Sequence, residues 1–189
     1  MKQTQRFALL TLLNREMLRR GSWCGETHIQ KATYFLQELL GVDLGFEFIL
    51  YKHGPFSFEL RDELLSMQAD QLLELAVRQP GYGPTYVPTS FGVTFQERFP
   101  STTSRYSEQV QFVADEMGNR GVVELEKLAT AFFIVDREGI KHFERRAQRL
   151  VDLKPHVSMA EARWATEIVD ELIAKSRQVS LREIEEDSA

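Results

Sequence analysis

A chain of 189 residues with 43% apolar and 27% charged side chains has the composition of an ordinary globular protein and the length to bury a sizeable core. Its formal net charge of −5 excludes a general attraction to polyanions, so any nucleic-acid role has to rest on a local basic patch. The single cysteine, Cys24, excludes an internal disulfide framework and suits a reducing compartment.

Lys2 and Arg6 precede an apolar run from Phe7 to Leu13, but Asn14, Arg15 and Glu16 follow at once with no small-residue cleavage site. No apolar run approaches the ~20 residues of a membrane span, and the expected location is the cytoplasm. Phe7, Leu10, Leu13, Met17 and Leu18 predict a first helix over Gln3–Arg20, ended by Gly21. Ile29, Ala32, Phe35, Leu36, Leu39 and Leu40 predict a second over Glu26–Leu40, with Gly41 at the C-terminal cap. From Phe46 to His53 the period shortens and aromatics are frequent, which predicts a short strand. Gly54 breaks it, and a third helix starting at Pro55 or Ser57 is expected to carry Phe58, Leu60, Leu64 and Leu65.

Leu73, Leu75 and Val77, then a Gly/Pro-rich stretch from Pro80 to Pro84, then Tyr86 and Val87, predict a β-hairpin with a long loop. Helices followed by a hairpin is the order of a winged helix. Beyond Pro100 the spacing is helical: a stripe from Tyr106 to Met117, one from Val122 to Phe132, and one from Ile140 to Val151. The last long helix is expected at Ser158, which forms a capping box with Glu161. The fold class is therefore mainly α with a small antiparallel β element. A winged-helix-like half spans 1–99, a helical half packs on it over 100–178, and an acidic tail over 179–189 is expected to fray.

No nucleophile elbow, phosphate loop or dinucleotide fingerprint is present. None of His28, His53, His142 and His156 has a ligand partner at helical metal spacing. The expectation is a non-enzymatic chain with no metal and no cofactor; a catalytic site assembled from distant residues is the third reading. Cys24, between Trp23 and Gly25, is read as a half-buried apolar residue in a turn, with a reactive thiolate as the sharper alternative.

Two stretches stand out. In Tyr51-Lys52-His53-Gly54-Pro55-Phe56-Ser57 a strand turns sharply into a helix start, where unpaired N–H groups beside Lys52 and His53 could hold an anionic group of a partner. The plainer account is structural: glycine for the turn, proline to fix φ, Ser57 as cap, aromatics for the core. From Arg137 to Val151, Arg137, Lys141, Arg145 and Arg149 recur every four residues with Arg146 beside them. Residues 137–154 carry a net +3, which leaves −8 for the rest. Such a row after a short turn has the layout of a helix-turn-helix that contacts phosphates, and also that of an ordinary solvated face.

The run from His28 to Glu38 followed by the segment from Tyr51 to Leu60 resembles YwgA-type proteins and the related Panacea (SocA-like antitoxin) domains. Those have a Q-K-x-x-Y helix and then a G-P-[YF]-S segment. The matching residues here are Gln30, Lys31, Tyr34, Tyr51, Gly54, Pro55, Phe56 and Ser57, within roughly residues 5 to 95. The resemblance implies a helical fold with a small β element, no catalysis, and in the antitoxin branch neutralisation of a toxin by direct binding. It places Lys31, Tyr34 and residues Tyr51 to Ser57 on a surface that meets a protein partner. The runner-up is a DNA-binding regulator using Arg137, Lys141, Arg145, Arg146 and Arg149.

Overall fold

A computed structural model describes residues 1–186. In chain order it has α1 (Gln3–Arg19), α2 (Glu26–Tyr34) extended by a π turn (Phe35–Leu39), strands β1 (Ile49–Tyr51) and β2 (Gly54–Phe56), and α3 (Phe58–Ala69). Strands β3 (Leu73–Ala76) and β4 (Thr85–Pro88) follow, then α4 (Ser90–Gln96), α5 (Pro100–Arg105) and α6 (Ser107–Met117). Helices α7 (Val122–Asp136), α8 (Phe143–Leu153) and α9 (Met159–Glu186) complete it. The fold is mainly helical with two separate two-stranded antiparallel sheets, β1–β2 and β3–β4. Among the described residues no helix is long and apolar enough to cross a membrane. The acidic tail, expected to fray over 179–189, instead continues α9 to Glu186, and residues 187–189 lie outside those described.

Helix α7 organises the core. It is apolar nearly all round, and such a helix has to be covered on every side. Helices α8 and α9 pack on one flank, α2 and β2 on another. Helix α1 is covered by α4, α5 and α6, with α6 also touching α9, and one buried apolar cluster runs through α1, α2, α6, α7, α8 and α9. The capping box at Ser158 forms: the Ser158 N–H donates to Glu161 Oε2 at 2.9 Å and the Glu161 N–H donates to Ser158 Oγ at 3.3 Å. Lys127 adds an ion pair to Glu161 at 2.8 Å, and these partners hold the Glu161 carboxyl well below the usual range.

Four sequence expectations need correction. The alternation predicted over Phe46–His53 is present, with Phe46 and Phe48 buried, but ladder pairing begins only at Ile49. The Gln37 side-chain amide takes the place of a neighbouring strand for Phe46. Its Nε2 donates to the Phe46 carbonyl at 2.8 Å and its Oε1 accepts the Phe46 N–H at 2.9 Å. Secondly, of the two starts expected for the third helix, Ser57 is the one used, its Oγ accepting the Leu60 N–H at 3.2 Å, while Gly54-Pro55 forms β2. Thirdly, the basic segment is not one helix from Arg137. Arg137 closes α7, Gly139 adopts φ +65°, and α8 begins at Phe143. Fourthly, α4 has no counterpart in the sequence reading. Its seven residues are started by Thr89, whose Oγ1 accepts the Gly92 N–H at 2.9 Å. Gly92 is obligatory there, because a β-carbon would fall 2.1 Å from the Leu72 carbonyl oxygen.

Candidate functional site

Hairpin β1–β2 pairs Ile49 with Phe56, Leu50 with Pro55 and Tyr51 with Gly54, leaving Lys52 and His53 as a two-residue turn. Two paired strands of three residues cannot hold their own shape in water. The surrounding helices supply the missing partners. Gln30 of α2 grips Ser57 by both main-chain groups: its Nε2 donates to the Ser57 carbonyl and its Oε1 accepts the Ser57 N–H, each at 2.9 Å. Lys31 is 0% exposed and its ammonium donates to the Pro55 carbonyl at 2.8 Å. Tyr34 is also interior, with its ring centre 5.1 Å from Phe48 and 5.6 Å from Phe132. Burial, with Asp136 nearby, raises its phenol pKa.

The expectation that Lys31 and Tyr34 lie on a contact surface is thus corrected. Both side chains are inside, and with Gln30 they fasten the hairpin from behind. Since Gln30 satisfies two buried main-chain groups, Gln30→Leu is expected to destabilise the fold by about 2 kcal/mol. Urea denaturation measures this, and an unchanged midpoint would show the clamp to be dispensable.

The turn is docked as firmly. The Lys154 ammonium, just beyond α8, donates to the Lys52 carbonyl at 2.6 Å and to Glu126 Oε1 of α7 at 2.8 Å. His53 Nδ1 lies 3.3 Å from Glu126 Oε2. Burial works against ionising Glu126, but Lys154 and His53 outweigh it and hold its carboxyl below the ordinary value. Gly54 adopts φ +84°, and a β-carbon there would come within 2.9 Å of Thr130 Oγ1 on α7. Glu126, Thr130 and Lys154 were not among the sequence candidates. For two of them the signal was polarity out of place: Glu126 and Thr130 stand in a helix with ten apolar residues among its fifteen.

With the back of the hairpin fixed, its front is unusually apolar. Ile49 is 42% exposed, Tyr51 54% and Phe58 40%. The rings of Tyr51, Phe56 and Phe58 form a triangle with centres 5.1 to 5.7 Å apart. Leu65, two turns further along α3, is also exposed, so Phe58 and Leu65 do not join the core as the helical stripe predicted. The Arg61 guanidinium lies 5.0 Å from the centre of the Phe58 ring, and the Lys52 side chain stands exposed at the turn.

The basic row is largely engaged within the chain. Arg137 pairs with Glu38 at 2.8 Å and Asp136 at 3.0 Å, and Arg149 with Glu138 at 2.8 Å. Arg146 is buried and forms a two-pronged bond to Asp170 at 2.6 and 2.7 Å. Lys141 and Arg145 are exposed. Cys24 is fully buried, and burial pushes its thiol up to about 11, so a ready thiolate is absent at neutral pH. Among the described residues no three His, Cys, Asp or Glu side chains gather as a metal site.

Compared with known proteins, the chain matches no family profile and no curated protein.

Proposed function

We propose that this chain is a non-enzymatic protein-interaction module, antitoxin-like in kind, which meets its protein partner through the face made by Ile49, Tyr51, Phe56, Phe58 and Leu65. The aromatic triangle, with Tyr51 and Phe58 exposed and Phe56 half-buried between them, on a hairpin anchored from behind, carries this reading. Contiguous exposed apolar side chains are costly in water and mark contact surfaces, and aromatic residues dominate the energetics of such contacts. A support that is already ordered loses little entropy on binding, which favours affinity. The exposed Lys52 at the edge suits a partner whose apolar groove carries a carboxylate at its rim. The resemblance of the Gln30–Tyr34 and Gly54–Ser57 segments to YwgA-type and Panacea domains supports the same reading, as does the winged-helix-like order of α2, α3, β3 and β4.

The DNA-binding alternative draws less support. Three of its five cations are spent on ion pairs within the chain, and the row they make in the sequence is divided between the end of α7, a loop and α8. A phosphate-contacting row needs its cations free and on one face.

The test compares partner capture by the wild-type chain, by Tyr51→Ser with Phe58→Ser, and by Lys141→Ala with Arg145→Ala. Both double variants are expected to melt within a few degrees of wild type, because the altered side chains are exposed. The first is expected to lose the partner and the second to keep it. Retention by the first, or loss by the second, overturns the assignment of the contact face.

A further inference from the structure

A second feature shares no residue with the hairpin face. Where hairpin β3–β4 leans on the starts of α2 and α7, a groove of about 640 Å³ opens, within the size range of small-molecule sites. Trp23, Leu75, Tyr82, Tyr86, Val122 and Val123 give it apolar walls. The wall is braced: Trp23 Nε1 donates to the Gly83 carbonyl at 2.8 Å, the Tyr86 N–H donates to the Cys24 carbonyl at 2.9 Å, and the Trp23 and Tyr82 rings sit 5.4 Å apart. Gly25 keeps the floor open, since a β-carbon there would crowd Trp23 at 3.3 Å and the Pro84 carbonyl at 3.4 Å.

Polar atoms in this groove are unsatisfied in one particular way. His28 is 4% exposed and its Nδ1 has no hydrogen-bond partner. The ring bonds to the Arg120 main chain, which places the proton on the other nitrogen, and burial lowers its pKa so that it stays neutral. Nδ1 therefore presents a bare lone pair. Glu26 Oε1, also in the groove lining, is buried without a donor as well. A buried acceptor without a donor costs about 1–3 kcal/mol, so two in one apolar groove point to a donor from outside. The Glu124 carboxylate also stands at the rim, 3.5 Å from the Arg120 guanidinium. The face of the Trp23 ring is a surface against which an ammonium can also sit favourably.

We propose that this groove binds a small hydrophobic amine, with the apolar body between Trp23, Tyr82 and the Val122–Val123 edge and the ammonium donating to His28 Nδ1 and Glu26 Oε1. The starts of α2 and α7 also lie here and would favour an anion by their dipoles. Glu26 and Glu124 stand in those first turns and offset them. The two polarities make opposite predictions.

Titration of the ¹⁵N-labelled chain with tryptamine is expected to shift amide resonances of residues 23–28, 82–86 and 121–124 saturably. Indole-3-propionate, with the same ring and the opposite charge, is expected to bind at least tenfold more weakly. His28→Phe, which fills the same space without the lone pair, is expected to weaken tryptamine at least tenfold. Val123→Arg, at an exposed rim position, tests the location independently of folding and is expected to do the same with an unchanged melting temperature. No saturable shift with tryptamine, an acid that binds as well as the amine, or full binding by Val123→Arg overturns the proposal.

Discussion

Replacing Glu126 by alanine is expected to cost about 3–5 kcal/mol of folding stability, the range found when one member of a buried ion pair is removed. The Glu126 carboxylate serves two interior cations. It pairs with Lys154 at 2.8 Å and is the largest favourable charge acting on Lys31. Without it both ammonium groups remain inside with backbone carbonyls as their partners, Pro55 for Lys31 and Lys52 for Lys154. The loss is in the desolvated cations left behind more than in the pair itself. For a chain of this size it corresponds to a fall in melting temperature of roughly 6 to 20 °C. Glu126→Ala combined with Lys154→Met, which removes a cation along with the carboxylate, is expected to recover part of the loss. A thermal midpoint within two degrees of wild type for the single variant would show that water reaches both ammonium groups.

From pH 8 to 9, folding stability is expected to increase. Burial, with Lys154 adding to it, brings the Lys31 ammonium down from 10.5 to about 8 against the pull of Glu126 and Glu26. Within that window the unfolded chain binds the proton more tightly than the folded one, so stability grows as pH rises. The slope reaches at most about 1.4 kcal/mol per pH unit, which also bounds the gain between pH 8 and 9. Cys24 works the other way at higher pH. Its thiol is pushed from 9.0 up to about 11 by burial, so above pH 9 the unfolded chain loses that proton first and stability falls. Tyr34, raised by burial, adds to the fall at still higher pH. The profile should therefore rise, flatten near pH 9 and turn down. Lys31→Met is expected to remove the rise and keep the fall, as read from urea midpoints at pH 7.5, 8.5 and 9.5. Parallel profiles for the two chains would contradict a buried, neutralising Lys31.

The longer helices were legible because they depend on local spacing, whereas the seven-residue α4 was too short to show a stripe. The stripe of α1, the glycine after the second helix and the Ser158–Glu161 box need only a few neighbouring residues to be recognised. The β3–β4 hairpin was legible for the same reason, from alternation and a Gly/Pro-rich loop. What failed was everything decided at a distance. Phe46 looks like a paired strand residue, and its partner is a glutamine nine positions back. Pro55 looks like a helix start until Lys31, on another element, takes its carbonyl. Lys31 is a surface residue by type, and the partners that favour its buried ammonium, the Pro55 carbonyl and the Glu126 carboxylate, lie far along the chain. The four-residue period of the cations ran straight through Gly139, whose left-handed conformation separates α7 from α8. For the segment from Tyr51 to Ser57, the sequence marked the region but not its sides. That Tyr51 and Phe58 face out while Gly54, Pro55 and Ser57 face in follows from the docking of the hairpin on α2 and α7.

The two glutamine clamps, Gln30 on Ser57 and Gln37 on Phe46, sit seven residues apart and hold their targets only by N–H and C=O groups. A grip of that kind does not read the identity of the side chain it holds. Outward positions such as Ile49, Tyr51 and Phe58 are therefore uncoupled from the attachment of the hairpin. Selection could replace them, one after another, without loosening the frame that presents them. The arrangement works as a fixed mount with an exchangeable front, in which a change of partner demands no change of fold.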